Sequence, residues 1–176
     1  CPSLQIIGVQ SQLFPSMANV VHHTTLPVGG PTVAEGIAVP TAGVLTAAMI
    51  NRLVDDIVVV SEDRIEEAMN LLLDIEKSVV EGAGAAGLAA VLDDRARFAG
   101  KRVGIVLTGG NVDPRILSQV IMRGLVRSGR LSRLLVDITD VPGALGRVSA
   151  IIGDEGGNIV EVSHQRTFSE LSLRSA

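Results

Sequence analysis

Glycines 82, 84 and 87 in the stretch VVEGAGAAGLAAVL spell G-x-G-x-x-G, the spacing with which a backbone can cradle a pyrophosphate at a helix N-terminus. That chemistry needs a strand leading into Gly82, a helix leaving Gly87, and a carboxylate at the end of the next strand to hold a ribose. Only the helix is supplied. An amphipathic helix and two valines precede Gly82, Glu81 abuts it, and the next apolar run ends in Thr108-Gly109-Gly110 with no acid. Dinucleotide binding therefore trails two other readings. In one, small residues let a helix approach its neighbour closely; in the other, Glu81 and these glycines line a pocket beside a different ligand.

Thr108, Gly109, Gly110 and Asn111 form a second cluster. The two glycines permit positive φ and a close approach to a flat ligand, and Asn111 can satisfy the turn by bonding its own backbone. His22 and His23 are adjacent and cannot share one helical face, so they read as solvated loop residues rather than metal ligands. His164 has no recognisable acid–base partner. Cys1 is the single cysteine, which excludes an internal disulfide, and no leader-like or long uncharged apolar run is present. The chain reads as cytoplasmic, without a membrane partner. A net charge of −4 and three phenylalanines as the whole aromatic complement argue against nucleic acid, which needs a basic face and stacking rings.

These residues must be held by elements that the pattern also reveals. At 176 residues the chain can bury about 70% of its unfolded surface, and 47% apolar content rich in small residues suits an α/β fold. Residues 4–9 read as a strand. Residues 10–41, rich in proline and glycine, read as a long passage without regular structure, of the kind that often carries function. AGVLTAAMINRLVDD is helical and IVVV a buried strand. Ser61 caps the next helix, with Glu62 and Asp63 favoured by the dipole in its first turn. Ile65, Ala68, Met69 and Leu72 make that helix's buried stripe.

The helix of the glycine stretch is expected to run almost to Gly100, and RVGIVL to form a buried strand. Asp113 and Pro114 then start a helix that reaches about Ser128. Residues 127–133 read as a linker. After it LLVDI, DVPG, ALGRVSAIIGDEG and NIVEVSHQR give strand, turn, helix and strand. Two regions result, 1–126 and 134–176.

In order, GVQSQLFPSM, TVAEGIAV, EGAGAAGLAA and KRVGIVLTGGN resemble the second half of the catalytic domain of threonine ammonia-lyases (threonine dehydratases), which are fold-type II pyridoxal-phosphate enzymes. VDITDVPGALGRVSAIIGDEGGNIVEVSHQR resembles the first β-α-β of an ACT regulatory domain. The resemblance implies part of an open α/β sheet with flanking helices over 1–126, followed by a truncated ACT-like β-α-β unit over 134–176. It implies pyridoxal phosphate as cofactor, an amino-acid substrate, and deamination of L-threonine, or serine, to a 2-oxo acid and ammonia, as in isoleucine biosynthesis. A homo-oligomer, dimer or tetramer, is also implied.

Residue by residue, the resemblance places Thr108 at the pyridine nitrogen of the cofactor. A hydroxyl there cannot hold a proton on that nitrogen as a carboxylate can, which favours elimination over transamination. Gly109 and Gly36 fall beside the ring, and Glu81 near ring or substrate; stabilising the following helix N-terminus is an equal alternative for Glu81. Glu35 stands where relatives more usually have Asp. The two positions of a divalent-cation site hold Gln10 and Ser16, so no metal is expected. The Schiff-base lysine and the phosphate loop of the family lie N-terminal to the part resembled. Lys77, read as helical and solvent-facing, and Lys101 are not in that context, so no catalytic residue is assigned and the chain reads as an inactive fragment. An amino-acid effector would meet Asp140, Pro142, Gly143 and Asn158, although plain turns explain both places. The competing reading is a non-catalytic amino-acid-binding or oligomerisation module.

Overall fold

The computed structural model describes residues 4–164 and divides between Leu131 and Ser132 into two units. The first is α/β. Its apolar runs become β1 (Ile7–Ser11) and β2 (Asp56–Val60), paired in parallel with Ile7 opposite Asp56 and Ser11 opposite Val60. Parallel strands require a crossover. Here it contains α1 (Ser16–His22), a 3-10 turn (Glu35–Ile37) and α2 (Val44–Leu53), so the passage expected to lack regular structure holds a helix and a turn. Helix α1 escapes the sequence pattern because its cap is remote. Gln10, on β1, accepts hydrogen bonds from Met17 N (3.0 Å) and Ala18 N (2.8 Å), two donors that a helix start leaves unpaired.

β2 is covered on both faces, which explains its unbroken valine run. Ile57 and Val59 meet Met17 and Ala18 of α1 and Ala47 and Ile50 of α2. Val58 and Val60 meet a larger cluster supplied by α3 (Glu62–Asp74), α4 (Gly82–Asp93) and α6 (Pro114–Arg127). Ser61 caps α3 through Arg64 N, and Ile65, Ala68, Met69 and Leu72 are all buried, as the stripe predicts. The helix expected to reach Gly100 breaks instead at Asp94, whose carboxylate accepts from Arg97 N (3.0 Å) and starts a short helix, α5 (Arg95–Phe98). Asp113 caps α6 through Arg115 N with Pro114 at its first position.

α6 is clasped to α3. Asn70 Nδ2 donates to Glu66 O (2.9 Å) and Val120 O (3.0 Å), while Arg123 Nη1 and Arg127 Nη2 stand 2.9 and 3.0 Å from the two oxygens of the buried Glu66 carboxylate. The Arg127 contact is one of charge, without hydrogen-bond geometry. A Cβ on Gly124 would lie 2.6 Å from the Asn70 amide. Gly124→Ala should therefore destabilise the protein by about 1 kcal/mol, despite the better helix propensity of alanine, because the amide must surrender its bonds to make room. Thermal unfolding checks this, and in an Asn70→Ala background the same substitution should be neutral or stabilising.

RVGIVL does not form the expected buried strand. Residues 102–107 have no ladder partner among the described residues, and Val103, Val106 and Leu107 are exposed. A strand is buried by its neighbours, and an apolar run alone does not reveal whether they are present. What holds this run is α4, where Ile105 packs over Gly87.

The second unit, taken alone, consists of α7 (Ala144–Asp154) entered through Gly143 at φ 83°, with segments on either side. LLVDI and NIVEV, expected as strands, form no ladder among the described residues, where only an isolated bridge at Thr139 appears. Leu135 is 94% exposed, so among the described residues no layer covers this run. The last residues of the NIVEVSHQR reading lie outside the described residues. No helix among the described residues is long and apolar enough to cross a membrane.

Candidate active site

The start of α4 gathers three of the residues singled out in the sequence. Glu81 precedes the first turn, yet its side chain makes no capping bond to the helix. The carboxylate instead lies between Gly36 and Gly109. A Cβ at Gly36 would stand 3.2 Å from Glu81 Oε1 and 3.0 Å from Ala83 Cβ, and one at Gly109 would stand 3.1 Å from Glu81 Cδ. The backbone closes the arrangement, with Glu81 N donating to Gly109 O (3.1 Å) and Asn111 N donating to Glu81 Oε2 (3.2 Å). Gly109 adopts φ +118°, a conformation that essentially requires glycine. Both glycines are thus needed for room, and Gly109 for its conformation as well.

Thr108 is exposed beside this group, and its amide nitrogen would lie 3.2 Å from a Cβ placed on Gly84. The backbone N–H of Asn111 serves the Glu81 carboxylate, a contact separate from the turn role read for its side chain. The G-x-G-x-x-G is a set of three crossings. Gly82 admits the Val33 carbonyl, Gly84 admits Thr108 and Gly109, and Gly87 admits Ile105. Close packing of a small-residue helix thus accounts for this stretch, and no dinucleotide cradle is formed there because other parts of the chain fill the approach.

The family model described as "Pyridoxal-phosphate dependent enzyme" matches residues 1–109, ending on the glycine that faces Glu81. The chain belongs to the pyridoxal-phosphate dependent enzyme family. It is 39% identical over 174 residues to an L-threonine ammonia-lyase of Thermotoga maritima, covering 98% of this chain and 43% of that protein. Among solved structures it resembles a threonine deaminase from T.th. (TM-score 0.57, 33% identity, 64% of this chain and 42% of that one). It resembles maize serine racemase equally in shape (TM-score 0.57, 30% identity, 73% and 41%). The chain spans less than half the length of these relatives.

The residues present fit pyridoxal phosphate. Thr108 is exposed, and the missing side chains of Gly36 and Gly109 keep free the space beside Glu81 that a Cβ at either position would take, so a flat polar ring can approach the backbone here.

Other sequence-assigned residues of this pyridoxal-phosphate family member have separate places. Gln10 is engaged as the cap of α1 and Ser16 is buried at its first turn, so neither oxygen is presented as a cation ligand. Among the described residues no group of three or more His, Cys, Asp or Glu could hold a metal. His22 is not a loop residue: it ends α1, and its Nε2–H donates to Ile57 O (2.8 Å) beside Asp56. Lys77 lies beyond α3 rather than within it, at φ 54°, with its ammonium on the Asp74 carbonyl. Asp140, Pro142 and Gly143 line a cavity of about 150 Å³ together with His164, and Asn158 does not line it. No local pattern marks His164 for that place, since the cavity forms only when the turn and the residues after α7 meet.

At the entry to β2, Arg97 Nη2 donates to Asp56 Oδ2 (2.7 Å) and Ile57 N to Asp56 Oδ1 (2.8 Å). The Arg97 hydrogen bond holds the Asp56 carboxyl below its ordinary 3.8; burial opposes it, and the Ile57 N–H with the Arg97 and His22 charges assists. A carboxyl depressed in the folded state adds stability above its unfolded value, and that stability is lost as pH falls through the folded value. Below about pH 4 the wild-type protein should therefore lose stability more steeply than Asp56→Asn, which lacks this proton uptake. Urea midpoints measured across that range check it.

Proposed function

We propose that the complete protein is a pyridoxal-phosphate-dependent threonine ammonia-lyase that converts L-threonine, and secondarily serine, to a 2-oxo acid and ammonia. The observation that carries this reading is the Glu81 carboxylate held between Gly36 and Gly109 next to an exposed Thr108. When bound, pyridoxal phosphate supplies an electron sink for the substrate's α-carbon. Thr108 would hold the ring nitrogen through a neutral hydroxyl, which keeps the ring unprotonated there and favours loss of the β-hydroxyl. Gly36 and Gly109 would let the backbone lie against the ring, and Glu81, fixed by Asn111 N, would orient polar groups at its edge. No residue of this chain is assigned the proton transfer at the α-carbon.

The division of the chain between Leu131 and Ser132 supports a linker at 127–133 and a regulatory ACT-like region at 134–176. The cavity at Asp140, Pro142 and Gly143 supports an amino-acid effector there, with Asn158 as a further contact. A cytoplasmic homo-oligomer, dimer or tetramer, acting in isoleucine biosynthesis completes the reading.

The test is ammonia and 2-oxobutanoate release from L-threonine by the complete protein with pyridoxal phosphate. Thr108→Val should lower turnover by about tenfold, the worth of one lost hydrogen bond to the ring. Interconversion of serine enantiomers without ammonia release would replace the lyase by a racemase. Binding of isoleucine, valine or threonine without any turnover would favour a non-catalytic module.

A further inference from the structure

By sequence, Glu62 has only a favourable place at the positive end of α3. In the structure its two carboxylate oxygens accept three hydrogen bonds from outside that helix. Oε1 accepts from Ser11 Oγ (2.5 Å) and Thr32 Oγ1 (2.9 Å), and Oε2 accepts from Val33 N (2.8 Å). Each hydroxyl oxygen is itself an acceptor, Ser11 Oγ from Leu13 N (3.1 Å) and Thr32 Oγ1 from Ala34 N (3.0 Å). Ser11 is fully buried at the end of β1, so this network is shielded from water where it begins.

The network ends at the candidate active site. Val33, whose N–H is held by Glu62, presses its carbonyl against Gly82 at the start of α4. Ala34 is fully buried, and the 3-10 turn that follows sets Gly36 beside Glu81 and Ala83. The geometry points to Glu62 as a positioning residue: it clamps residues 32–37 onto α4 and so fixes the spacing of Gly36 from Glu81 that the cofactor wall needs. This inference rests on the cofactor reading proposed above.

The chemistry demands a carboxylate. Three donors converge on Glu62, and both hydroxyls already accept a backbone N–H, which leaves their protons to be taken by Glu62. A glutamine can offer its oxygen to Val33 N–H, but its amide nitrogen then faces two hydroxyl oxygens whose protons have no acceptor. Glu62→Gln therefore loosens the clamp while conserving shape.

The test uses the complete protein with Glu62→Gln, and Asn70→Ala as a control that weakens the α3–α6 clasp instead. Amide hydrogen exchange at Val33 and Ala34 is measured beside pyridoxal phosphate affinity by absorbance titration. In Glu62→Gln both amides should exchange faster, and the cofactor bind more weakly, each by about tenfold or more, with neither change in Asn70→Ala. If Glu62→Gln does not fold, Thr32→Val removes one hydroxyl from the same network and should give a smaller shift of the same two readouts. Unchanged exchange, or faster exchange with wild-type affinity, overturns the inference, as does an equal loss of affinity in Asn70→Ala. Wild-type protein that takes up no pyridoxal phosphate overturns the cofactor reading and the inference with it, and this is seen before any substitution is made.

Discussion

Gly82→Ala should destabilise the first unit by about 3 kcal/mol or more, the largest effect expected of any single methyl group in this chain. A Cβ there would lie 2.3 Å from Val33 O, 2.6 Å from Val33 C and 2.9 Å from Ala34 N, all backbone atoms. They have no free direction in which to retreat, because Val33 N is bonded to Glu62 and Ala34 is fully buried. Nor can α4 shift the other way, since Gly84 already touches the backbone at Thr108 and Gly109. The helix-propensity gain of about 1 kcal/mol is too small to compensate. The urea midpoint should fall with little change in slope. Gly87→Ala should cost less, because its new Cβ would meet side-chain rather than backbone atoms, the Ile105 γ-methyl Cγ2 at 2.7 Å, on a residue of the exposed 102–107 run that has room to shift. A Gly82→Ala midpoint equal to that of Gly87→Ala would show that the Val33–Gly82 crossing is soft.

The second large effect is expected at Gly109. Alanine at φ +118° costs about 1–3 kcal/mol in backbone strain alone, and its Cβ would press on the Glu81 carboxyl carbon at 3.1 Å. Relief requires the 108–111 turn to move, which breaks the bonds between Glu81 N and Gly109 O and between Asn111 N and Glu81 Oε2. Cofactor affinity of the complete protein should drop by about 30-fold for each 2 kcal/mol so spent. Equilibrium titration of Gly109→Ala with pyridoxal phosphate measures this. Wild-type affinity in that variant would mean that residue 109 is not part of the cofactor wall.

Local pattern carries much of this architecture. Ser61, the Ile65–Leu72 stripe, Asp113 and Pro114 announce α3 and α6 because their stabilising contacts lie within a few residues of each other. Gly36, Glu81 and Gly109 are reachable only through a family resemblance, since spacing alone cannot tell a pocket wall from helix packing, and the helix packing is what α4 shows at Gly82, Gly84 and Gly87. What stays hidden depends on partners distant in sequence. Gln10 starts α1 from a neighbouring strand, and Glu62 binds residues that fold back from positions 11, 32 and 33. RVGIVL departs from its expected form for the converse reason: its composition is that of a buried strand, but no ladder is present among the described residues to bury it.

That uncovered run also governs how the polypeptide behaves in company. Residues 103–107 combine β-branched side chains with an open backbone edge, and such a stretch pairs readily with a copy of itself. Lys101 and Arg102 stand as charged gatekeepers at its entrance, but Thr108-Gly109-Gly110 at the exit carry no charge to repel a second molecule. Self-association would therefore begin next to Thr108 and Gly109, the residues proposed to face the coenzyme, and crowding of one would blind the other.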